Sequence, residues 1–282
     1  MRNLLAGLLL TLLPAIAGSA DSVPEDDRAE FVLGNIAFVL LHEFGHLVID
    51  DFDIPLLGNP EDAADTLAAV TLVRMDRNRP ESDFRYIRML LMAADANRIL
   101  WERGIERDNP AVYLARHPLS VQRATRIACL VYGSDTELLA ALPDIVGIPP
   151  FRANWCAEEF AAAETAWEWV AEEFIDSSER QERDHRFGYG SPQGPEQEKI
   201  RARMEQAEML ERTLELLSDN ILLPDSILLR TSSCGSPDAY WDSESREVVL
   251  CYELIQGFYN LSEEQKVRDV EAQLRELNED AA

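Results

Sequence analysis

Residues 31–49 constrain the fold more than any other part of the chain. Phe, Val, Leu and Ile recur there on every face of a helix drawn through them, which predicts a helix buried all round. In its middle stands "LLHEFGHLVID", residues 40–50, with two histidines and a glutamate. Burying two imidazoles and a carboxylate among Phe38, Leu40, Leu41, Phe44 and Leu47 costs several kcal/mol unless each is paired. His42 and His46 lie one helical turn apart and project from the same face. Two imidazoles so placed can meet one metal ion, and Glu43 can then reach the metal's water rather than the metal. Zinc lowers the pKa of such a water to about 7, and Glu43 takes its proton as it attacks a carbonyl. Ordinary core histidines bonded to backbone carbonyls are the alternative. A bound metal pairs all three groups at once and is the preferred reading. Gly45 costs its helix about 1 kcal/mol relative to alanine, so something gains from the missing side chain: a close strand or substrate, or tight packing of another helix.

A catalytic zinc needs a third protein ligand. In "NPEDAAD", Asn59 is the expected N-cap and Pro60 the first residue of a second helix. Glu61 and Asp65, four apart, share a face of that helix, whereas Asp62 is turned about 100° aside. Glu61 is therefore the expected ligand, with Asp65 accepting a hydrogen bond from a ligand imidazole. The same acids also complement the positive helix N-terminus, which accounts for Glu61 and Asp62 but says little about Asp65. His117, Tyr240 and Tyr252 are weaker candidates to stabilise an oxyanion, and a His-Pro helix entry such as that of His117 is more often structural.

The first twenty residues, "MRNLLAGLLLTLLPAIAGSA", read as an export signal: Arg2, an apolar run, a proline and small residues at the cut. Removing them leaves residues 21–282, enough for one large domain or two small ones and taken as one, in a secreted or periplasmic protein, with no further segment expected to span a membrane. The net charge of −26, from 52 acidic and 26 basic residues, repels nucleic acid and anionic lipid surfaces. Four cysteines fit an oxidising compartment. The favoured pairs are local, Cys129 with Cys156 and Cys234 with Cys251, and no CxxC suggests a cysteine zinc site.

Further helices are expected at about 60–75, 82–103, 119–132, 152–176, 196–219 and 263–278. Polar residues 177–199 read as a mobile loop or linker. Strands appear only late, in "SILLRT", "AYWD" and "REVVLCYEL" around a turn at "WDSESR". The fold class is thus mainly α with a small C-terminal β-hairpin (α+β).

"HEFGH" followed by "EDAAD" resembles the gluzincin pattern of zinc peptidases. More closely, "VLLHEFGHLVIDDFDIPLLGNPEDAADTLAA", "HPLSVQRATRIACLVYGSD", "RANWCAEEF" and "CGSPDAYWDSESREVVLCYEL" resemble a family of exported bacterial proteins, a domain-of-unknown-function family with a metallopeptidase label. The resemblance implies a zinc-dependent (Zn2+) peptidase acting on peptide or protein substrates. In most zincins a sheet precedes the HExxH helix; here the strands come last, so the sheet is expected to be permuted to the C-terminus, its hairpin folding back beside the active-site helix. A non-catalytic zinc-binding or interaction protein, and a metal-dependent amidohydrolase acting on non-peptide amides, are the rival readings.

Overall fold

The all-round apolar segment folds as helix α1, Glu25–Asp51, in the computed structural model, which describes residues 25–78, 84–104, 106, 109, 113–172, 185–220 and 225–264. Phe31, Ile36, Leu40, Phe44 and Leu47 are fully buried because α1 has neighbours on every side. Helices α2 (Pro60–Arg77) and α3 (Arg85–Glu102) pack on it, as do strands β3 (Ala239–Asp242) and β4 (Glu247–Cys251) and helix α9 (Tyr252–Leu261). Each such side chain contributes roughly 1.5–3 kcal/mol on burial, far more than the few tenths by which Val, Ile and Phe disfavour a helix. By length and composition Arg28–Asp51 is apolar enough to cross a membrane, but 72% of its most apolar window is buried within the protein. It is packed here as a core helix.

The helical body continues with α4 (Ser120–Ser134), the short α5 (Leu142–Val146) and α6 (Pro150–Val170). A disulfide between Cys129 and Cys156 joins α4 to α6. The two backbones meet so closely there that a side chain at Gly133 would collide with the Cys156 carbonyl.

The β-structure is richer than a hairpin. β3 and β4 do form an antiparallel pair, with Ala239 opposite Leu250 and Asp242 opposite Glu247. Strand β2 (Leu228–Ser232) adds parallel to β4, and β1 (Arg186–Tyr189) parallel to β2, in the order β1-β2-β4-β3. β1 and the start of helix α7 (Pro195–Gln206) occupy the stretch expected to be loop, 177–199, of which 177–184 lies outside the described residues. Parallel β1 and β2 need a crossover, supplied by α7 and α8 (Met209–Asn220). Those two were expected as one helix; the chain leaves the right-handed region at Glu208, φ 50°. The extended reading holds through Cys251 and fails for "YEL". Tyr252 begins α9, whose Ile255, Phe258, Tyr259 and Leu261 recur at helical spacing and are buried. A second disulfide, Cys234–Cys251, ties the end of β4 to the loop after β2. The fold is mainly helical with a small mixed sheet on its C-terminal side. The expected leader, 1–20, and nearly all of the expected helix 263–278 lie outside the described residues.

Candidate metal centre

The centre starts from the contact between α1 and α2. A Cβ built on Gly45 would lie 2.8 Å from the Cα of Ala64, closer than side chains pack. Helix packing, not a strand or substrate, is therefore what the missing side chain serves. One turn before Ala64, α2 begins as its sequence demands, with Pro60 in the first turn and the Asn59 side chain accepting a hydrogen bond from the Glu61 N–H at 3.1 Å. The close helix contact brings Glu61 under the two histidines of α1.

Three ligand-type atoms converge there. His46 Nε2 and His42 Nε2 are 3.2 Å apart, and Glu61 Oε2 is 3.3 Å from each. Ligand bonds of about 2.0–2.1 Å to a tetrahedral zinc give ligand–ligand edges of about 3.3 Å, so the triangle has the dimensions of one face of such a site. His42 Nδ1 lies 2.7 Å from Asp65 Oδ1. With the Nδ1 proton held by that carboxylate, the neutral ring would present Nε2 as a lone pair toward His46 and Glu61. Acceptors turned toward one another in a buried place suit a cation between them.

The surrounding charge points the same way. Glu43, Glu61 and Asp65 are all buried. Arg123 answers only one of them directly, through a fork on Asp65 at 2.9 and 2.7 Å. Arg116, largely exposed, reaches Glu61 Oε1 at 3.5 Å, so three buried carboxylates meet two guanidiniums, and a cation between the ligand atoms would offset the remaining negative charge. Burial alone would lower the pKa of His42, but its hydrogen bonds with Asp65 and Glu61 raise it to about 9. Burial likewise pushes Glu61 up, and its contacts with His117, His42 and His46 hold it well below the usual carboxylate range. Positive charge is stabilised here from every side.

A cleft of about 630 Å³ opens over this group, lined by Glu43, His46, Glu61, His117, Tyr240 and Trp241 among others. Glu43 is raised above its ordinary pKa chiefly by burial, and its Oε2 accepts a hydrogen bond from the backbone N–H of Trp241 at 3.0 Å. The edge strand β3 thus lies directly against the glutamate of the HExxH motif, as the permuted sheet led us to expect. His117 is placed at the cleft mouth, its Nδ1 3.0 Å from Glu61 Oε2, on a loop tethered by the Asn59 side-chain amide to the Arg116 carbonyl. With His42 and Glu61 it makes a further set of three ligand atoms within 4.8 Å of one another. Tyr240 faces the cleft. Tyr252 does not: it is fully buried, its hydroxyl donating to the Gly190 carbonyl and accepting from Thr231 Oγ1. Its expected part in the site is withdrawn, because burial behind the sheet turns it away from the cleft.

Two participants escaped the sequence reading. Arg123 and Trp241 reach the centre across 58 and 198 residues of chain. For Arg123 a signal existed: Arg123 and Arg126, three apart, mirror the spacing of Asp62 and Asp65. Asp62, turned aside from the histidines, is forked by Arg126.

Compared with known proteins, the chain matches no curated protein and no solved structure. Its residues 14–170 and 189–281 match one family profile, which spans the candidate ligands, Glu43 and both disulfides. By that match the chain belongs to the family described as "Putative metallopeptidase".

Proposed function

We propose that this protein is an exported zinc-dependent peptidase in which His42, His46 and Glu61 hold the metal, Glu43 is the general base and Asp65 orients His42. The observation that carries the reading is the triangle of His42 Nε2, His46 Nε2 and Glu61 Oε2, with edges of 3.2–3.3 Å, beside a buried glutamate at an open cleft. Among the possible sets, this triangle has the edge lengths zinc requires; His117, more exposed and on a loop, is assigned instead to the oxyanion, with Tyr240 across the cleft. Zinc would supply Lewis acidity, polarising a substrate carbonyl and acidifying water.

The chain's own groups handle position and protons. Trp241 N–H pins Glu43 Oε2, leaving Oε1 to take a proton from the attacking water and deliver it to the leaving amine. A carboxylate raised by burial is a stronger base than an exposed one. The backbone of Ala239 and Trp241 faces away from β4, since Cys251 N–H pairs with the Asp238 carbonyl and the antiparallel alternation follows from it. On that outer edge the N–H groups of Ala239 and Trp241 are taken by Asp238 Oδ1 and Glu43 Oε2, which leaves the two carbonyls along the cleft to accept from an extended peptide. The two disulfides are compatible with an oxidising compartment.

Metal analysis combined with Glu43→Gln tests the proposal. Both wild type and variant should carry about one zinc per chain, and only wild type should cleave a broad peptide library, with a loss in the variant on the order of a hundredfold or more. Equal inactivity of two zinc-loaded proteins would indicate a non-catalytic zinc protein instead.

A further inference from the structure

Helices α2 and α4 are joined by two arginine–carboxylate forks of matching spacing. Asp62 and Asp65, three apart on α2, face Arg126 and Arg123, three apart on α4. The two rungs differ in what stands behind them. Asp62 is partly exposed and points away from the histidines, so its rung joins two helices and nothing more. Asp65 is wholly buried, and its Oδ1 is shared between Arg123 Nη2 and His42 Nδ1, each at 2.7 Å.

We infer that Arg123 is a positioning residue of the metal centre, acting on His42 through Asp65. This inference rests on the assignment of His42 as a ligand made above. A carboxylate with a single partner can swing about its Cβ–Cγ bond. A planar guanidinium bonded to both oxygens fixes the carboxylate plane. With the plane fixed, Oδ1 takes the Nδ1 proton along one direction, and the ring presents Nε2 toward His46 and Glu61. Without the fork, Asp65 becomes a buried charge lacking its main counter-charge. It then reorients or gives up its charge, and either change frees the His42 ring. The second rung is a control built into the fold: it is of the same type, between the same helices, one turn away, and has no imidazole behind it.

The test is zinc affinity of the full-length protein, measured by competition with a chromophoric chelator, for wild type, R123M, R126M, D65N and the double variant D65N/R123M. D65N should weaken zinc roughly 10 to 100-fold, as losses behind a ligand do. R123M should weaken it about tenfold or more, and R126M should stay within about twofold of wild type if its rung only joins the helices. The double variant should match D65N, because the hydrogen-bonded link from Arg123 to His42 runs through Asp65. Should R123M fail to fold, the double variant, which removes the orphaned charge, carries the comparison against D65N. Wild-type affinity in R123M, equal losses in R123M and R126M, or additive losses in the double variant would each overturn the inference while leaving the metal centre intact. A wild-type protein that takes up no zinc overturns the metal centre itself, and this inference with it.

Discussion

Asp65 is bonded to an imidazole on one side and a guanidinium on the other, and the consequence can be measured without any substrate. Burial raises a carboxyl pKa, but the hydrogen bond to His42 and the charge of Arg123 outweigh it and bring Asp65 down from 3.8 to about 2. A group whose pKa is lower in the folded than in the unfolded chain stabilises the fold above its unfolded pKa and loses that contribution as pH falls through the folded one. In metal-free protein, the unfolding free energy of wild type over Asp65→Asn should therefore hold level between about pH 5 and 6, below the range in which His42, itself raised by Asp65, titrates, shrink below about 4 and be nearly gone by about 2. Denaturant titrations at a series of pH values check it, and a difference that grows on acidification would contradict the assignment. At this scale the sequence was informative wherever geometry is local. His42 with His46, and Glu61 with Asp65, are neighbours one helical turn apart, and helix periodicity alone aligns them. Arg123 was not legible in the same way, because its distance from Asp65 depends on how α4 packs on α2.

Between elements, the closest contact that matters is α1 on α2 at Gly45 and Ala64. Alanine at position 45 sets two effects against each other. It gains about 1 kcal/mol of helix propensity, and it places a methyl 2.8 Å from a backbone Cα that cannot step aside without moving α2. Overpacking of this kind typically costs 1–3 kcal/mol, so Gly45→Ala should be net destabilising by up to about 2 kcal/mol despite the better helix former. It should also weaken zinc, because parting the helices carries Glu61 away from the histidines. Thermal unfolding and chelator competition read the two effects, and a stabilised protein with unchanged affinity would show that the contact has slack. The elements themselves were legible where side-chain period and capping agree, as in α1, buried on all faces, and α2, with Asn59 and Pro60 at its start. They were illegible where the cause is remote. β1 is four residues long with no alternation, and becomes a strand only because β2 offers a parallel edge. The break between α7 and α8 falls at Glu208, with no Gly or Pro to mark it.

Across the whole molecule, the centre lies on a seam. The proposed ligands come from two adjacent helices near the N-terminus, whereas the contact that fixes Glu43 comes from a strand almost two hundred residues later. The late sheet was expected beside α1 from the resemblance to zincins, in which a sheet lies beside the HExxH helix, but the atoms that meet could not be read from pattern. They form a short series along the last turns of α1: Trp241 N–H to Glu43, Trp241 Nε1 to Asp50 at 3.1 Å, and an Arg246 fork to Asp51 with its guanidinium 5.2 Å from the Trp241 ring. On the proposed assignment, metal holding belongs to the helices and proton handling to the seam, and the two can be separated. Arg246→Met leaves Asp51, only 6% exposed, without its partner. Breaking a fully buried pair costs 3–5 kcal/mol; with a quarter of the arginine side chain in solvent, the loss should be about 1–3 kcal/mol. The strand edge then loosens from α1 and Glu43 loses the donor on Oε2, while His42, His46 and Glu61 keep their places. The variant should bind zinc within about twofold of wild type yet turn over peptide roughly tenfold or more slowly, as expected when a general base is mispositioned. Metal titration and peptide hydrolysis on the same sample separate the outcomes. If zinc affinity and turnover fall together, the sheet supports the ligands as well, and the division between helices and seam is wrong.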